Sequence, residues 1–587
     1  MAERKKQSLL TGAGVLAIAT VVVKLIGALY KIPLTNLITV EGYGYFTGAY
    51  AVYNPLYAIS MAGLPVAVAK LVSQNIELGR IKDAKLIFTV ARKLFLAVGL
   101  FGTVLLCAIA IPYSNFVGSP QNYISILAVA PCILFCCQMS SFRGYYEGLN
   151  NMTPTGVSQV IEAIVKLTFG LAATYFCFNS WIDTYHEEAV NGVATVFGIE
   201  VTNEAEALSV MYPYAAAVAI LGVTLGSMFG LVYLYIRYKT KGFGFTREEL
   251  VNSPAAESEK SLRSQLIKIA APVALSSIIL NVSNIIDDTT IRNRLAYALE
   301  NAPEVIKGMY ASSLEAAQTL DSGIVNYLYG THGSVLNIKN LIPTITMTLG
   351  ISAIPVLSAA WAAKNKKEVK STIESAIRVA MMIALPAGFG IAALAKPILT
   401  LLYPSQPDMV PIATPMMIVY GFGIFLFAIV SPVTNMLQAV GRTDIPLRTV
   451  AIGSAVKIIL NFILIGNPDI NIYGAPVSTT VCYIIMISIN LTSLIKVTGV
   501  KINFVSVFVK PFISALGCGV GAYLVYFVSA DKVGLSNTLA TLISICAGAG
   551  IYAVLMLLIK GIAKDDLEMI PKGEKIAKVL AKFGFLG

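Results

Sequence analysis

Of 587 residues, 56% are hydrophobic and only 13% are charged, with a mean hydropathy of +0.74. A soluble domain carries roughly 25% charged residues, so this composition excludes an aqueous globular fold and makes lipid the solvent for most of the chain. The formal charge of +11 sits in short loops between apolar runs, which is a membrane-topology pattern and excludes nucleic acid as the partner of those charges.

A spanning helix needs about 20 apolar residues. Such runs are predicted at 9–31, 45–69, 86–111, 122–142, 154–178, 212–236, 266–289, 333–360, 371–394, 410–438, 445–466, 471–495, 504–529 and 535–559. The expected fold class is therefore an all-α polytopic membrane protein of about fourteen transmembrane helices. Met1–Gln7 is short and basic, and no small-residue cleavage site closes the first run, so the first span is read as a retained helix. Lys and Arg crowd alternate loops, from Arg4, Lys5 and Lys6 to the tail beyond Lys560, whereas the other loops hold only Lys31, Arg292, Arg294, Lys307, Lys396 and Lys532. This asymmetry predicts cytoplasmic N- and C-termini. The two long outer loops, 179–211 and 292–330, read as solvated caps; the first is acidic and lacks Lys and Arg.

The chain echoes itself at an offset of roughly 290 residues. GLPVAVAK at Gly63–Lys70 is answered by AIPVLSAA at Ala353–Ala360, RIKDAK at Arg80–Lys85 by NKKEVK at Asn365–Lys370, and GLNNMTP at Gly148–Pro154 by AVGRTDIP at Ala439–Pro446. The shared order predicts two pseudo-symmetric six-helix lobes, 1–240 and 241–500. Two extra C-terminal helices (501–560) and a cytoplasmic tail (561–587) follow.

Ionisable groups deep in lipid cost about 2.5–3.5 kcal/mol each on insertion scales, so they mark candidate sites. Lys166 lies mid-span with Glu162 one turn before it, either a self-neutralised packing pair or a cavity pair. Lys457, its repeat mate, has Gly453 where Glu162 would stand. It therefore needs a carboxylate from another helix or an anionic substrate, with Asn461 adding a hydrogen bond. Lys24 and Lys31 share a face of the first span, and snorkelling to the interface competes with a cavity role for both. Lys339 and Arg378 lie near helix ends, where the same alternative applies. Asp287 and Asp288, preceded by Asn284, close the seventh span as an interfacial end or an ion-coupling site. Asn54-Pro55, Gly63-Leu64-Pro65, Pro343, Pro355 and Pro432 mark possible bends.

No GxxxxGK[ST] loop is present, and no triad or paired-carboxylate set points to catalysis. The chain is thus expected not to be an enzyme, to carry no cofactor, and to draw on Na+, H+ or the membrane potential. The eight cysteines (Cys107, Cys132, Cys136, Cys137, Cys177, Cys482, Cys518 and Cys546) lie in apolar runs, and the two histidines are His186 and His332. No metal site is expected.

KLIGALYKIPLTNLITVEGYGYFTGAYAVYNPLYAISMAGLPVAVAKLVSQ at Lys24–Gln74 and RGYYEGLNNMTPTGVSQVIEAIVK at Arg143–Lys166 carry a resemblance to a known family. They are similar to the polysaccharide-biosynthesis branch of the multidrug/oligosaccharidyl-lipid/polysaccharide (MOP) flippase superfamily, within its stage V sporulation protein B and YtgP group of MurJ-like flippases. The resemblance implies two lobes around a cationic cavity and a groove for a lipid tail on the last two helices. It implies translocation of an undecaprenyl-pyrophosphate-linked saccharide, with lipid II foremost, across a bacterial plasma membrane by a monomer. Basic residues on the first and eighth helices, here Lys24 and Lys339, would line the cavity. A pyrophosphate headgroup needs positive charge in a wet, protein-lined space, which Lys24, Lys166, Lys339 and Lys457 can supply. Another lipid-linked glycan or a cation-coupled drug antiporter are the alternatives, the latter wanting uncompensated carboxylates in the spans.

Overall fold

The structure, a computed structural model, describes residues 9–189, 193–242, 244–563 and 566; the side chains of 275–284 and 348–353 lie outside that set, Asn284 among them. Eleven of its helices are long and apolar enough to cross a membrane, in keeping with the expected fold class. One of them is α1 (Leu9–Ala58), which bends at Thr39 (φ 61°, ψ 173°) and so holds the first predicted span and the start of the second. A short π-helical turn, Ile59–Gly63, links it to α2 (Leu64–Glu77).

The chain divides into two compact units, one of residues 1–296 with 318–333 and one of 297–317 with 334–587. This division keeps most of the long helix Glu259–Asn301 with the first unit.

In the first unit, α1 and α2 are followed by α3 (Ile81–Phe116), α4 (Tyr123–Gly148) and α5 (Thr153–Glu188). An antiparallel hairpin, β1 (Ala194–Val196) and β2 (Ile199–Val201), leads to α6 (Glu204–Lys241). A short α7 (Arg247–Asn252) precedes α8 (Glu259–Asn301), which stays in this unit to residue 296. Asn203 caps α6 by accepting the Glu206 N–H, and Glu204 and Glu206 at one end with Lys239 and Lys241 at the other complement the helix dipole.

A glycine ridge sets the seam between α5 and α6. Gly222, Gly226 and Gly230 fall one turn apart, the small-xxx-small spacing that lets membrane helices approach closely. A Cβ on Gly226 would lie 2.6 Å from the Glu162 carbonyl oxygen and 3.5 Å from Lys166 Cβ, and one on Gly222 would lie 2.8 Å from the Gly170 nitrogen. The ridge therefore positions the segment of α5 that bears Glu162 and Lys166. Gly226→Val is expected to destabilise the protein by about 1–3 kcal/mol through overpacking, read as a lowered midpoint in a detergent thermal-shift assay. An unchanged midpoint would show that the seam is loose.

In the second unit, α9 (Pro303–Ala316) comes first, and α10 (Ile324–Lys339) enters it at Ser334. Then follow α11 (Leu341–Ala362), α12 (Lys366–Ala393), α13 (Ala395–Leu402), α14 (Val410–Ala439), α15 (Asp444–Leu464) and α16 (Gly474–Thr498). α17 (Lys510–Phe527) and α18 (Asn537–Leu558) complete it. α17 lies against α12, where Gly519 faces Phe389, and α18 packs on α17 through Gly548 beside Ala522. Arg378 does not snorkel from α12. It is 7% exposed and pairs at 3.0 Å with Asp566, which lies beyond α18 in sequence and is itself fully buried. Ser375 and the Ala563 N–H also donate to Asp566, and Arg378 reaches Ser506. Burial pushes the Asp566 carboxyl above the ordinary carboxylate range, with Arg378 pulling it back. Asp566→Ala leaves the guanidinium buried without its carboxylate, so a loss of about 3–5 kcal/mol is expected, measurable as faster proteolysis after Lys560. Wild-type resistance in the variant would remove the clasp from the account.

Candidate cationic site

Three lysines converge in the first unit. Lys24 and Lys31 are seven residues apart on α1, two turns along one face, and Lys166 comes from α5. The three ammonium groups lie within electrostatic range of one another. Two tyrosines of α1 give the group its shape. The Lys166 ammonium sits 5.0 Å from the Tyr30 ring centroid and 5.3 Å from that of Tyr50, while Lys31 lies 5.7 Å from the Tyr50 ring. The Tyr30 hydroxyl is occupied by a 2.7 Å bond to the Ala219 carbonyl on α6, which fixes the ring as a wall rather than a donor.

No carboxylate pairs with these lysines among the described residues. Glu162, one turn from Lys166, is turned elsewhere. Its carboxylate accepts from Arg143 at 3.2 Å and from the Ser227 hydroxyl at 3.4 Å, and Arg143 also donates to Ser158 at 3.0 Å. The i,i+4 pairing of Glu162 with Lys166 expected from spacing is therefore not formed. Arg143 is 1% exposed, and the burial of so strong a cation on α4 is what draws Glu162 away. Sequence reading placed Arg143 in a loop and missed it. Lys24 is exposed and Lys31 and Lys166 are half-buried, so the ammonium groups can be reached by something other than the protein itself.

Magnitudes say what that would be. A lysine over an aromatic face gains about 0.5–2 kcal/mol, whereas a hydrogen bond to a charged group gains about 1.5–3 kcal/mol. An anionic oxygen would therefore outcompete the rings for Lys31 and Lys166, and would relieve the mutual repulsion of three positive charges.

The ion-coupling candidates occupy a different part of the first unit. Asp288 and Arg292 are fully buried and pair at 2.9 Å on α8. Tyr113 donates to the same carboxylate, and the Arg292 guanidinium also bonds Asn326 and the Gly44 carbonyl while lying 4.1 Å from the Tyr329 ring centroid. Asn326 in turn accepts from Ser119 at 2.9 Å. A cation at Asp288 would have to displace Arg292. Asp287 is half-buried beside it, and the Asn284 side chain lies outside the described residues.

In the second unit, Lys339 ends α10 where the helix breaks at Asn340, and its ammonium lies over three rings: Phe427 at 4.3 Å, Tyr420 at 5.0 Å and Tyr483 at 5.8 Å. Lys457 is 4% exposed and belongs to the buried stripe Thr449, Gly453, Lys457 and Asn461 of α15. That stripe faces α16, as the bonds Thr449–Asn490 and Ser478–Asn461 show. Lys457 thus sits in a helix seam, in contrast to the half-open lysines of the first unit. Among the described residues no group of three metal-ligating side chains forms.

Comparison with known proteins gives this geometry a lineage. The family model described as "Polysaccharide biosynthesis protein" matches residues 9–183, and the MatE model matches residues 328–463. Stage V sporulation protein B of Bacillus subtilis is 24% identical, over 96% of this chain and 98% of that protein. The lipid II flippase MurJ of the same organism is also 24% identical, over 81% of this chain and 80% of its own length. Among solved structures, the inward closed conformation of lipid II flippase MurJ superposes with a TM-score of 0.61 at 16% identity, over 93% of this chain and 98% of that one. An inward-facing multidrug resistance MATE family transporter follows with a TM-score of 0.58 at 13% identity, over 82% and 99%. Over nearly its full length the chain is thus similar to these proteins, and it shares the membrane-spanning fold of MurJ and of the MATE transporter.

Proposed function

We propose that the protein translocates an undecaprenyl-pyrophosphate-linked saccharide, lipid II foremost, from the inner to the outer leaflet of the bacterial plasma membrane by alternating access. The observation that carries this reading is the convergence of Lys24, Lys31 and Lys166 with no carboxylate in ion-pair contact among the described residues, Glu162 acting on Lys166 only from beyond that distance. A cation-exporting site needs the opposite polarity, and the one central carboxylate nearby, Glu162, is committed to Arg143. In this reading the pyrophosphate draws the ammonium groups off the tyrosine rings, the saccharide follows through a wet path, and the prenyl tail stays in lipid. The drive comes from Na+, H+ or the membrane potential, acting on a monomer.

The test is to deplete the host's lipid II flippase, express this chain, and measure lipid II accessible at the outer face. A rise that depends on the chain is expected. No rise with the protein present in the membrane overturns lipid II as cargo. If outer-face display of a different undecaprenyl-linked glycan rises instead, the site reading stands with another saccharide.

A further inference from the structure

The hairpin between α5 and α6 is amphipathic in a way that the protein's own core does not use up. Ala194, Val196 and Val201 are buried beneath it, while Thr195 and Glu200 pair on the opposite, water-facing side. The apolar side then runs past the core into an open rim, with Ile199 50% and Phe197 43% exposed. Phe197 is in the tight turn with φ 49°, followed by Gly198 at φ 83°. A bulky residue at positive φ is costly, and asparagine is the ordinary choice at such a position. The ring is what is kept at that cost. It packs 5.0 Å from Trp181 of α5 and 4.5 Å from Tyr214 of α6, centroid to centroid.

The depth of this cluster follows from helix length. α5 has 36 residues, about 54 Å at 1.5 Å per residue, against a hydrocarbon core of about 30 Å. Its far end therefore rises out of the lipid. Below the cluster, Tyr175 and Phe176 are 53% and 70% exposed on the same helix, as residues facing lipid tails are. Trp181 is five residues, about 7.5 Å, further along. Trp and Tyr settle at this level because an apolar ring and a polar edge are both satisfied at the headgroups.

We propose that the β1–β2 hairpin is a lipid-interface anchor, with Phe197, Ile199, Trp181 and Tyr214 seated among the phospholipid headgroups at the α5–α6 end of the first unit. Glu187, Glu188 and Glu200 are exposed at this end, Glu200 on the hairpin face opposite the apolar one, so the occupant is the glycerol and upper-chain region rather than an anionic phosphate cluster. The anchor holds the ends of α5 and α6 at a fixed height, and with them the seam that carries Lys166. It is independent of the identity of the cargo.

Trp181 and Trp361 are the two tryptophans of the chain, so Trp361→Phe leaves Trp181 as the reporter in the full-length protein. This variant is reconstituted in phosphatidylethanolamine–phosphatidylglycerol vesicles doped with phosphatidylcholine brominated either near the headgroup or near the chain end. Shallow bromines are expected to quench about twofold more strongly than deep ones, as an interfacial ring requires. Adding Phe197→Asn, which suits the turn backbone and removes the ring, is expected to raise quenching by aqueous acrylamide and weaken that by shallow bromines. If acrylamide reaches Trp181 freely and neither bromine quenches it, or if deep bromines quench best, the proposal fails. No response to Phe197→Asn removes the hairpin from the anchor. Should Trp361→Phe not fold, the difference between wild type and Trp181→Phe gives the same reading.

Discussion

Lys166→Ala is expected to lower export of the lipid-linked saccharide by about 10- to 100-fold, the equivalent of one charge-assisted contact of 1.5–3 kcal/mol. Lys166 is the member of the trio held between two tyrosine rings, and its ammonium has to leave that cradle to meet a phosphate. Lys24→Ala and Lys31→Ala should each act in the same direction, with Lys24 the weaker because it is the most exposed of the three. Lys166→Arg keeps the charge but places a planar fork where a compact ammonium fits, so partial activity is expected. The measurement is outer-leaflet display of the lipid-linked saccharide in cells depleted of their own flippase, normalised to the amount of protein in the membrane. Full activity in Lys166→Ala would remove the cationic site from the mechanism. Because Glu162 is paired with Arg143, Lys166→Ala should leave thermal stability near wild type, which separates a lost contact from a lost fold.

Arg292→Met is expected to have the largest effect on stability. It strands the Asp288 carboxylate at zero exposure with only the neutral tyrosines Tyr113 and Tyr329 beside it, and removes the donor that joins α1, α8 and α10 within the first unit. Breaking a buried pair from one side costs about 3–5 kcal/mol, whereas replacing both partners with apolar residues of similar volume is often nearly neutral. The double variant Asp288→Leu/Arg292→Met should therefore recover most of the lost thermal midpoint. If the single variant is as stable as wild type, Asp288 is already neutral and the pair is not ionic. If the double variant is no better than the single, the contacts of Arg292 to Asn326 and Gly44 carry the energy instead.

The two pairs show how far local spacing can be read. Asp288 and Arg292 are four residues apart, and so are Glu162 and Lys166. Spacing says only that each pair shares a helix face. The first pair forms because no other cation reaches that buried carboxylate among the described residues, only the neutral hydroxyls of Tyr113 and Tyr329. The second does not, because α4 brings Arg143 to Glu162 and the buried guanidinium has the stronger need of a partner. The glycine ridge of α6 acquires its meaning only from the helix it faces, α5.

Much of the molecule is written along the chain. The length and apolarity of each run depend on neighbours in sequence, and a membrane rewards them one helix at a time, so the helical class and the shared face of Lys24 and Lys31 could be read in order, whereas the bend that keeps the first run and the start of the second in one helix and the break at Asn340 inside the run 333–360 could not. The two long loops could be located but not shaped, and the first holds an amphipathic hairpin where a plain solvated cap was expected. Partnership is different. Lys166 joins Lys31 across 135 positions, and Arg378 meets Asp566 across 188. Buried charges choose partners by distance in space and by the desolvation each must offset, and only the packed helices bring those distances into being.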